Sequence, residues 1–257
     1  MSKSFLSVLP LLFSLLSVVL SGYMSVRTQR ISHRLHLEEE RRKKEESALA
    51  AAQRVYEPLA ESAAELQSRI FNIVQTGWVA LVKRYESHGD YTTASTAFLF
   101  AHYFGWIEAR RQSVLASSGE GARDESVQAL IADVKQTLRG NADSEGFMFY
   151  SAEQRAIGEM MFSWESTSDV DARVPHVMGY ATFAARFRED RTFRDWFAPV
   201  DRGLELVSNG DNRRLMDIHR ALVALIHELD PKEKYTPGYS LRAIGVDTGE
   251  APPKTAS

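Results

Sequence analysis

Cysteine is absent from the 257-residue sequence. Without thiols the chain can form no disulfide, no thiolate zinc site and no iron–sulfur cluster, and it has no cysteine nucleophile. The sequence also lacks the glycine-rich phosphate loops, the G-x-S-x-G elbow and the H-E-x-x-H helix that mark common enzyme and cofactor sites. We therefore assign no catalytic residue, no cofactor-binding residue and no metal ligand.

An excess of positive charge is lacking as well. Lysine and arginine number 31 against 34 aspartate and glutamate residues, which gives a formal net charge of −3. Proteins that bind nucleic acid concentrate basic residues on one face or along one helix. The charge balance therefore predicts no nucleic-acid partner.

The chain does contain one long stretch without a charged residue, Phe5–Met24, with the sequence FLSVLPLLFSLLSVVLSGYM. At about 1.5 Å per residue, a helix of this length spans roughly 30 Å, the hydrocarbon thickness of a bilayer. Lys3 and Arg27 are the nearest charged side chains on its two sides. The stretch predicts a single transmembrane helix in contact with the lipid bilayer, after a short N-terminal segment of residues 1–4.

Two interpretations of this stretch are open, a cleaved secretory signal and a retained signal-anchor. Lys3 would supply the basic start of a signal, but the apolar core of a signal is usually about 7–15 residues long and this stretch is longer. Arg27, Arg30 and Arg34 come before the first acidic residue, and positive charge beside a span tends to stay in the cytoplasm. We favour an anchor with the N-terminus outside and the remaining chain in the cytoplasm.

Residues 25–52 predict a charged helical stalk. Acidic residues there precede basic residues by four positions, the favourable order for helix-stabilising pairs. Three such pairs occur: Glu38 with Arg42, Glu39 with Lys43, and Glu40 with Lys44. The leucines of the segment form no continuous heptad seam, which favours a solvated spacer over a dimerising coiled coil.

Residues 53–230 predict an all-α domain of six or seven helices, and residues 231–257 predict a flexible tail rich in proline and glycine. Gly105 and Gly158 fall inside predicted helices, where glycine indicates close approach of a neighbouring element. No segment with strand periodicity is longer than a few residues. The predicted helices span 56–84, 91–117, 124–139, 151–164, 177–188, 191–209 and 212–229, with a polar loop at 165–175.

Charged residues interrupt the apolar faces of two predicted helices. Glu108 and Arg111 continue an apolar stripe that includes Phe104, so they form either a buried pair or the point where the helix emerges into water. Glu153 lies on the apolar face of a later helix, either as a first-turn carboxylate that stabilises the helix dipole or as a member of a semi-buried network. The sequence leaves both pairs of alternatives open.

We define the candidate polar cluster by six residues: Trp106, Glu108, Arg111, Glu153, Arg155 and Glu159. Arg155 and Glu159 are an i,i+4 pair, and Trp106 would form a wall. Arginines in such a cluster favour an anionic ligand, held through two parallel hydrogen bonds. The alternative for the same residues is a structural network in the core.

Three segments of the sequence are distinctive when taken together. They are YEPL at 56–59 with LQSRIFNI at 66–73, YFGWIE at 103–108 with Arg110 and Arg111, and QRAIGE at 154–159. Together they resemble a family of uncharacterised bacterial all-helical proteins, often with an N-terminal membrane segment. The resemblance covers about residues 56–159. It implies a helical fold in which the three polar clusters belong together, and it implies no activity.

These observations favour a non-enzymatic interaction or scaffold module at a membrane surface, acting through a protein partner or through self-association. The alternative is a helical ligand-binding or enzymatic domain, with an Arg/Glu pocket for an anionic small molecule.

Overall fold

The chain divides into two units, Met1–Ala50 and Ala51–Ser257. The computed structural model describes residues 36, 38–43, 54–77, 91–116, 122–140, 146–166, 173–239, 242 and 244. The predicted segment 1–4, the predicted span Phe5–Met24 and most of the predicted stalk lie outside the described residues.

The described part of the first unit is helical over residues 38–43. Lys43 Nζ lies 2.9 Å from Glu39 Oε1, one of the i,i+4 pairs that the sequence predicts. His36 Nε2 makes a second contact of this spacing with Glu40 Oε1, at 3.7 Å. No helix among the residues that the structure describes is both long and apolar enough to cross a membrane.

The second unit is mostly helical, which confirms the all-α class. Its described residues form eight helices: α1 (54–75), α2 (Tyr91–Ala116), α3 (Ala122–Arg139), α4 (Ser151–Met161), α5 (Tyr180–Glu189), α6 (Arg191–Asp195), α7 (Ala198–Ser208) and α8 (Arg213–Leu229). The predicted helix at 191–209 is divided into α6 and α7, because the chain turns at Trp196 and Phe197. Pro199 then lies in the first turn of α7, where its missing N–H is tolerated.

The core forms where the apolar faces of the helices meet. The predicted apolar stripe of α1 is buried, with at most 3% exposure for Leu59, Ala63, Leu66, Ile70 and Ile73. α2 packs most extensively on α4, and α3 packs on α8. Four phenylalanines of α5 to α7 pack ring against ring at the other side of the core: Phe183, Phe187, Phe193 and Phe197.

A β-hairpin replaces the last predicted turn of α4 and parts of the predicted loop and following helix. β1 (Phe162–Ser166) pairs in antiparallel register with β2 (Arg173–Val177), so that Trp164 lies opposite Pro175. The predicted helix at 151–164 is therefore wrong beyond Met161. The segment Phe-Ser-Trp-Glu-Ser alternates large apolar and polar side chains, the strand period, and Val177 continues the hairpin into the core at 6% exposure.

Gly105 gives the hairpin its place on α2. A Cβ atom on this glycine would lie 2.6 Å from Cγ1 of Val177 and 3.0 Å from Cβ of Met161. The close approach that the sequence predicts is thus made by side chains at the junction of α4 and the hairpin.

The first part of the predicted tail is folded. Asp230 accepts hydrogen bonds from the main-chain N–H groups of residues 234–236 and from the Thr236 hydroxyl, at 2.7–2.9 Å. The buried amide of Gln67 in α1 donates to the carbonyl oxygens of Tyr239 and Arg242 at 3.4 and 2.9 Å. The expectation of a flexible tail therefore does not describe residues 231–239, because buried side chains satisfy their main-chain groups.

Candidate functional site

The position of the candidate polar cluster follows from the contact between α2 and α4. A Cβ atom on Gly158 would lie 2.7 Å from the Phe104 carbonyl oxygen and 3.2 Å from Cβ of Glu108. The two main chains meet here, as the sequence predicts. Arg155 and Glu159 precede and follow Gly158, so the packing brings this pair beside Glu108.

Glu108 and Arg111 form a two-pronged ion pair on α2. Arg111 Nε donates to Glu108 Oε2 at 2.7 Å, and a terminal guanidinium nitrogen donates to Oε1 at 2.5 Å. Gln112 donates a third hydrogen bond to Oε1 at 2.7 Å. The carboxylate side chain is 5% exposed and the guanidinium side chain 34% exposed. The sequence left open whether Glu108 and Arg111 form a buried pair or mark the point where the helix emerges into water. For Glu108 the structure shows the buried pair.

Electrostatics favour the charged form of Glu108. Burial alone raises the pKa of its carboxyl, but the hydrogen bonds from Arg111 and Gln112 and the charges of Arg111 and Arg155 lower that pKa overall. The pKa of Arg111 is raised, chiefly by its hydrogen bond to Glu108. A carboxylate with both oxygens occupied and a lowered pKa is poorly suited to accept a proton as a general base near neutral pH.

Arg155 and Glu159 form an ion pair at the rim of the cluster. The guanidinium Nε donates to the Glu159 carboxylate at 2.8 Å, and both side chains are about half exposed. Exposed pairs of this type contribute about 0–1 kcal/mol to stability. The pair therefore matters more for the charge of the surface than for the fold.

Two predicted members form hydrogen bonds with residues outside the cluster. Glu153 accepts a hydrogen bond at 2.7 Å from the main-chain N–H of Tyr150 and so closes the first turn of α4. This agrees with the first of the two roles given above, a carboxylate in the first turn of the helix. Trp106 donates from its indole N–H to Nε2 of His102 at 3.2 Å. His102 Nδ1 in turn lies 3.7 Å from a carboxylate oxygen of Glu65 on α1.

Sequence reasoning missed Lys135 and Gln128, and it named Arg110 without including it in the candidate polar cluster. Arg110 donates to the side-chain oxygen of Gln128 at 2.6 Å and so links α2 to α3. Lys135 of α3 is half-buried. The pKa of Lys135 is lowered, chiefly by burial. The positive charges of Arg110, Arg111 and Arg155 lower this pKa further, whereas the negative charge of Glu108 acts to raise it. The available signal was the position of Lys135 directly after Val134 on the apolar stripe of α3.

A second feature that sequence reasoning missed is a patch of exposed tyrosines around Arg69. Tyr91 opens α2 with 49% exposure, and Tyr180 opens α5 with 38% exposure. Arg69 donates to hydroxyl groups at the start of α2, on Ser95 and Thr96, at 2.9 and 3.1 Å. Burial lowers the pKa of Arg69, while Tyr91, through its charge and a hydrogen bond, and Tyr180, through its charge, oppose this effect. We call Arg69, Tyr91 and Tyr180 the tyrosine patch.

An open groove of about 620 Å³ lies between α3 and α8. Two of the arginines that line it form ion pairs: Arg220 with Asp217, which also lines the groove, and Arg213 with Asp211. Elsewhere in the described part of the chain, no three His, Asp or Glu side chains gather in a way that would hold a metal ion.

Comparison with protein-family models gives no match for this chain. The comparisons with curated proteins and with solved structures give no match either.

Proposed function

We propose that this protein is a non-enzymatic interaction module that a single N-terminal helix holds at a membrane surface. The support for the anchor is the charge-free stretch Phe5–Met24, which has the length of a bilayer span. Arg27, Arg30 and Arg34 directly after it favour an outside N-terminus and a cytoplasmic second unit. The proposal includes membership of the family that the sequence resembles, the uncharacterised bacterial all-helical proteins that often carry an N-terminal membrane segment.

The observation that carries the non-enzymatic part is the occupancy of Glu108. Both of its carboxylate oxygens accept hydrogen bonds, from Arg111 and Gln112. One carboxylate oxygen of Glu153 accepts a hydrogen bond in the cap of α4. These carboxylates of the predicted cluster therefore stabilise local structure. Acid–base chemistry needs a carboxyl group whose pKa lies near the working pH.

The tyrosine patch is the surface by which the module would bind another protein chain. Tyrosine and arginine are enriched among the residues that dominate binding energy at protein interfaces. Tyr91 and Tyr180 present their rings to solvent, and Phe98 supports Tyr180 edge-on at 5.2 Å between ring centroids. Arg69 donates to two hydroxyl groups, so its guanidinium is already held in place before binding.

The alternative function, an Arg/Glu pocket for an anionic small molecule, needs Trp106 and Glu153 beside Glu108. Both side chains are engaged elsewhere, with His102 and with Tyr150. The pocket in its predicted form therefore has less support than the interaction module.

Chemical crosslinking of the full chain in native membranes tests the proposal. The wild-type chain should give a crosslinked species of higher mass, and the double variant Tyr91→Ser/Tyr180→Ser should lose most of it. Tyr150→Ser is the matched control, because Tyr150 is the most exposed of these tyrosines at 56% and lies outside the patch. A wild-type chain that is only monomeric and captures no partner would contradict the proposal.

A further inference from the structure

We propose that the outer edge of β1 is a docking site for β1 of a second copy of this chain, the partner subunit. The two strands pair antiparallel, with Trp164 opposite the partner's Trp164, so that the two hairpins form one continuous sheet. The contact uses neither the membrane anchor nor the tyrosine patch.

The hydrogen bonds of the hairpin show which main-chain groups of β1 point away from β2. In an antiparallel pair, directly opposite residues alternate between pairs that exchange hydrogen bonds and pairs that do not. The N–H of Met178 donates to the carbonyl oxygen of Met161 at 2.8 Å, and the register places these two residues opposite each other. Trp164, three positions after Met161, therefore belongs to a pair without hydrogen bonds. Its N–H and C=O point to the outer edge of β1, and so do those of Ser166.

The two edges of the hairpin differ in their capacity to accept another strand. Pro175 lies opposite Trp164, so its missing N–H falls on the outer edge of β2, where a proline blocks strand pairing. β1 contains no proline, and its residues from Ser163 to Ser166 are exposed. Among the residues that the structure describes, none makes a hydrogen bond to the main chain of Trp164 from the outer side. The edge of β1 is therefore the one that can be extended.

The main chain of β1 is complementary to itself in one register. When Trp164 lies opposite the partner's Trp164, the two residues exchange their N–H and C=O groups in hydrogen bonds. The N–H of Ser166 then donates to the carbonyl oxygen of the partner's Phe162. Phe162 contributes only this oxygen, because its N–H is already bonded to the Gly158 carbonyl oxygen at the end of α4. Every outward group of the strand that is still available thus finds a partner.

Side-chain charge selects the same register. It places Glu165 opposite the partner's Ser163, so that no like charges face each other. A shift of two residues towards the C-terminal end of β1 would place Glu165 opposite the partner's Glu165, and like charges in this position destabilise a sheet. A shift in the other direction would place Glu165 opposite the partner's Met161, which belongs to helix α4. The favoured register also sets two Trp164 side chains opposite each other, and aromatic pairs of this kind stabilise neighbouring strands.

The contact is small, because β1 has only five residues. Interfaces of this size belong to the class of weak and transient contacts, so the experiment has to trap the pair. The absence of cysteine from the sequence makes disulfide trapping specific, because an introduced thiol reports on its own position alone.

The test mixes full-length Ser163→Cys and Glu165→Cys chains, with tags of different mass, in non-ionic detergent under oxidising conditions. In the proposed register these two positions lie opposite each other, with Cα atoms about 4.5 Å apart, a distance that a disulfide can bridge. Two identical positions are about 7–8 Å apart across the contact, which is too far. The mixture should therefore give roughly tenfold more disulfide-linked dimer than either variant alone.

Ser166→Pro, added to both cysteine variants, should lower the dimer yield about tenfold, because it removes a donor of the contact and no hydrogen bond inside the hairpin. Arg173→Pro is the matched control. Arg173 lies opposite Ser166, and its N–H points to the outer edge of β2, so this variant should leave the yield unchanged.

Equal yields from the mixture and from the single variants would overturn the proposal. A Ser166→Pro variant with an unaltered yield would overturn it as well, and so would equal losses in Ser166→Pro and Arg173→Pro. Trapping should persist when Tyr91→Ser and Tyr180→Ser are added, so that failure of this contact and failure of the tyrosine patch are distinguished.

Discussion

Gly158 of α4 lies so close to Phe104 of α2 that a Cβ atom at position 158 would be 2.7 Å from the Phe104 carbonyl oxygen. Contacts that short are avoided by real side chains, so only glycine lets the two main chains meet. The spacing of the two helices, and with it the position of Arg155 and Glu159 beside Glu108, depends on this contact.

Replacing Gly158 by alanine should therefore destabilise the second unit. We expect Gly158→Ala to lower the free energy of unfolding by about 1–3 kcal/mol through overpacking, although alanine is the better helix former. Gly179→Ala is the control, because no atom lies within 4 Å of a Cβ placed there and its φ is −77°. Urea denaturation of the full chain in detergent measures both. Equal stabilities of the two variants would show that the close approach does not limit the packing.

Breaking the pair on α2 should cost more than breaking the pair on α4. Arg111→Met leaves the carboxylate of Glu108 at 5% exposure with one remaining hydrogen-bond donor, and we expect a loss of about 2–3 kcal/mol. Arg155→Met breaks an exposed pair and should cost less than about 1 kcal/mol. The same denaturation assay decides the order, and a larger loss for Arg155→Met would contradict our account of the cluster.

Asp230 should make the fold sensitive to acid. Burial acts to raise the pKa of its carboxyl, but hydrogen bonds from the main chain of residues 234–236 and from the Thr236 hydroxyl lower that pKa overall. A lowered pKa stabilises the fold fully above the unfolded value of about 4, and this stabilisation is lost as the pH falls through the folded pKa. Asp230→Asn should lose about 2–3 kcal/mol at pH 7 and should lose less than wild type on further acidification below pH 4.

The exposed Asp195 provides the control for this experiment. Asp195→Asn should leave both the stability at pH 7 and its acid dependence within about 0.5 kcal/mol of wild type. Denaturation curves between pH 7 and pH 2 provide the comparison. An Asp230→Asn variant whose acid dependence equals that of wild type would be evidence against the predicted coupling.

His219 should add a second pH dependence in a higher range. Its side chain is fully buried, and Nε2 accepts a hydrogen bond at 3.0 Å from the main-chain N–H of Ile244. Burial lowers the pKa of His219 more than main-chain contacts with Arg242 and Gln67 raise it. The neutral form is therefore favoured in the fold, and stability is complete above the unfolded pKa of about 6.5 and declines as the pH falls below it.

His219→Gln keeps an acceptor for the Ile244 N–H and removes the titrating group. We expect its stability to fall less than that of wild type between pH 7 and pH 5. His176→Gln serves as the control, since the His176 side chain is 47% exposed. If the wild-type slope persists in His219→Gln, the titration of this histidine is not its origin.

Periodicity was sufficient to predict helices that bury one apolar stripe. The stripe of α1 from Leu59 to Ile73 is an example. The hairpin was not predicted because Phe162 and Trp164 are compatible with the end of a helix, and only pairing with Val177 and Pro175, which follow later in the chain, makes the segment a strand. The alternation over residues 162–165 is too short to distinguish a strand from the end of a helix.

In the polar cluster, too, contacts within one helix could be predicted from the sequence, and contacts between helices could not. The Glu108–Arg111 and Arg155–Glu159 pairs are three or four residues apart on one helix, so spacing predicts them. Lys135 comes near the cluster only because α3 contacts α4, through the hydrogen bond from Gln154 to the Lys135 carbonyl oxygen. Its contribution depends on three-dimensional packing, which one sequence does not display. Trp106 was assigned to the cluster from proximity in sequence, although its helical position directs it towards His102.

The central claim is that Phe5–Met24 is retained as an anchor and holds the second unit at the cytoplasmic face of a membrane. A reporter pair fused after Ser257, one active only in the cytoplasm and one active only outside, measures this most directly in intact cells. Our account predicts activity of the cytoplasmic reporter alone, with the fusion protein remaining in the membrane pellet after alkaline extraction. Activity of the external reporter, or release of the protein from the membrane, would contradict it.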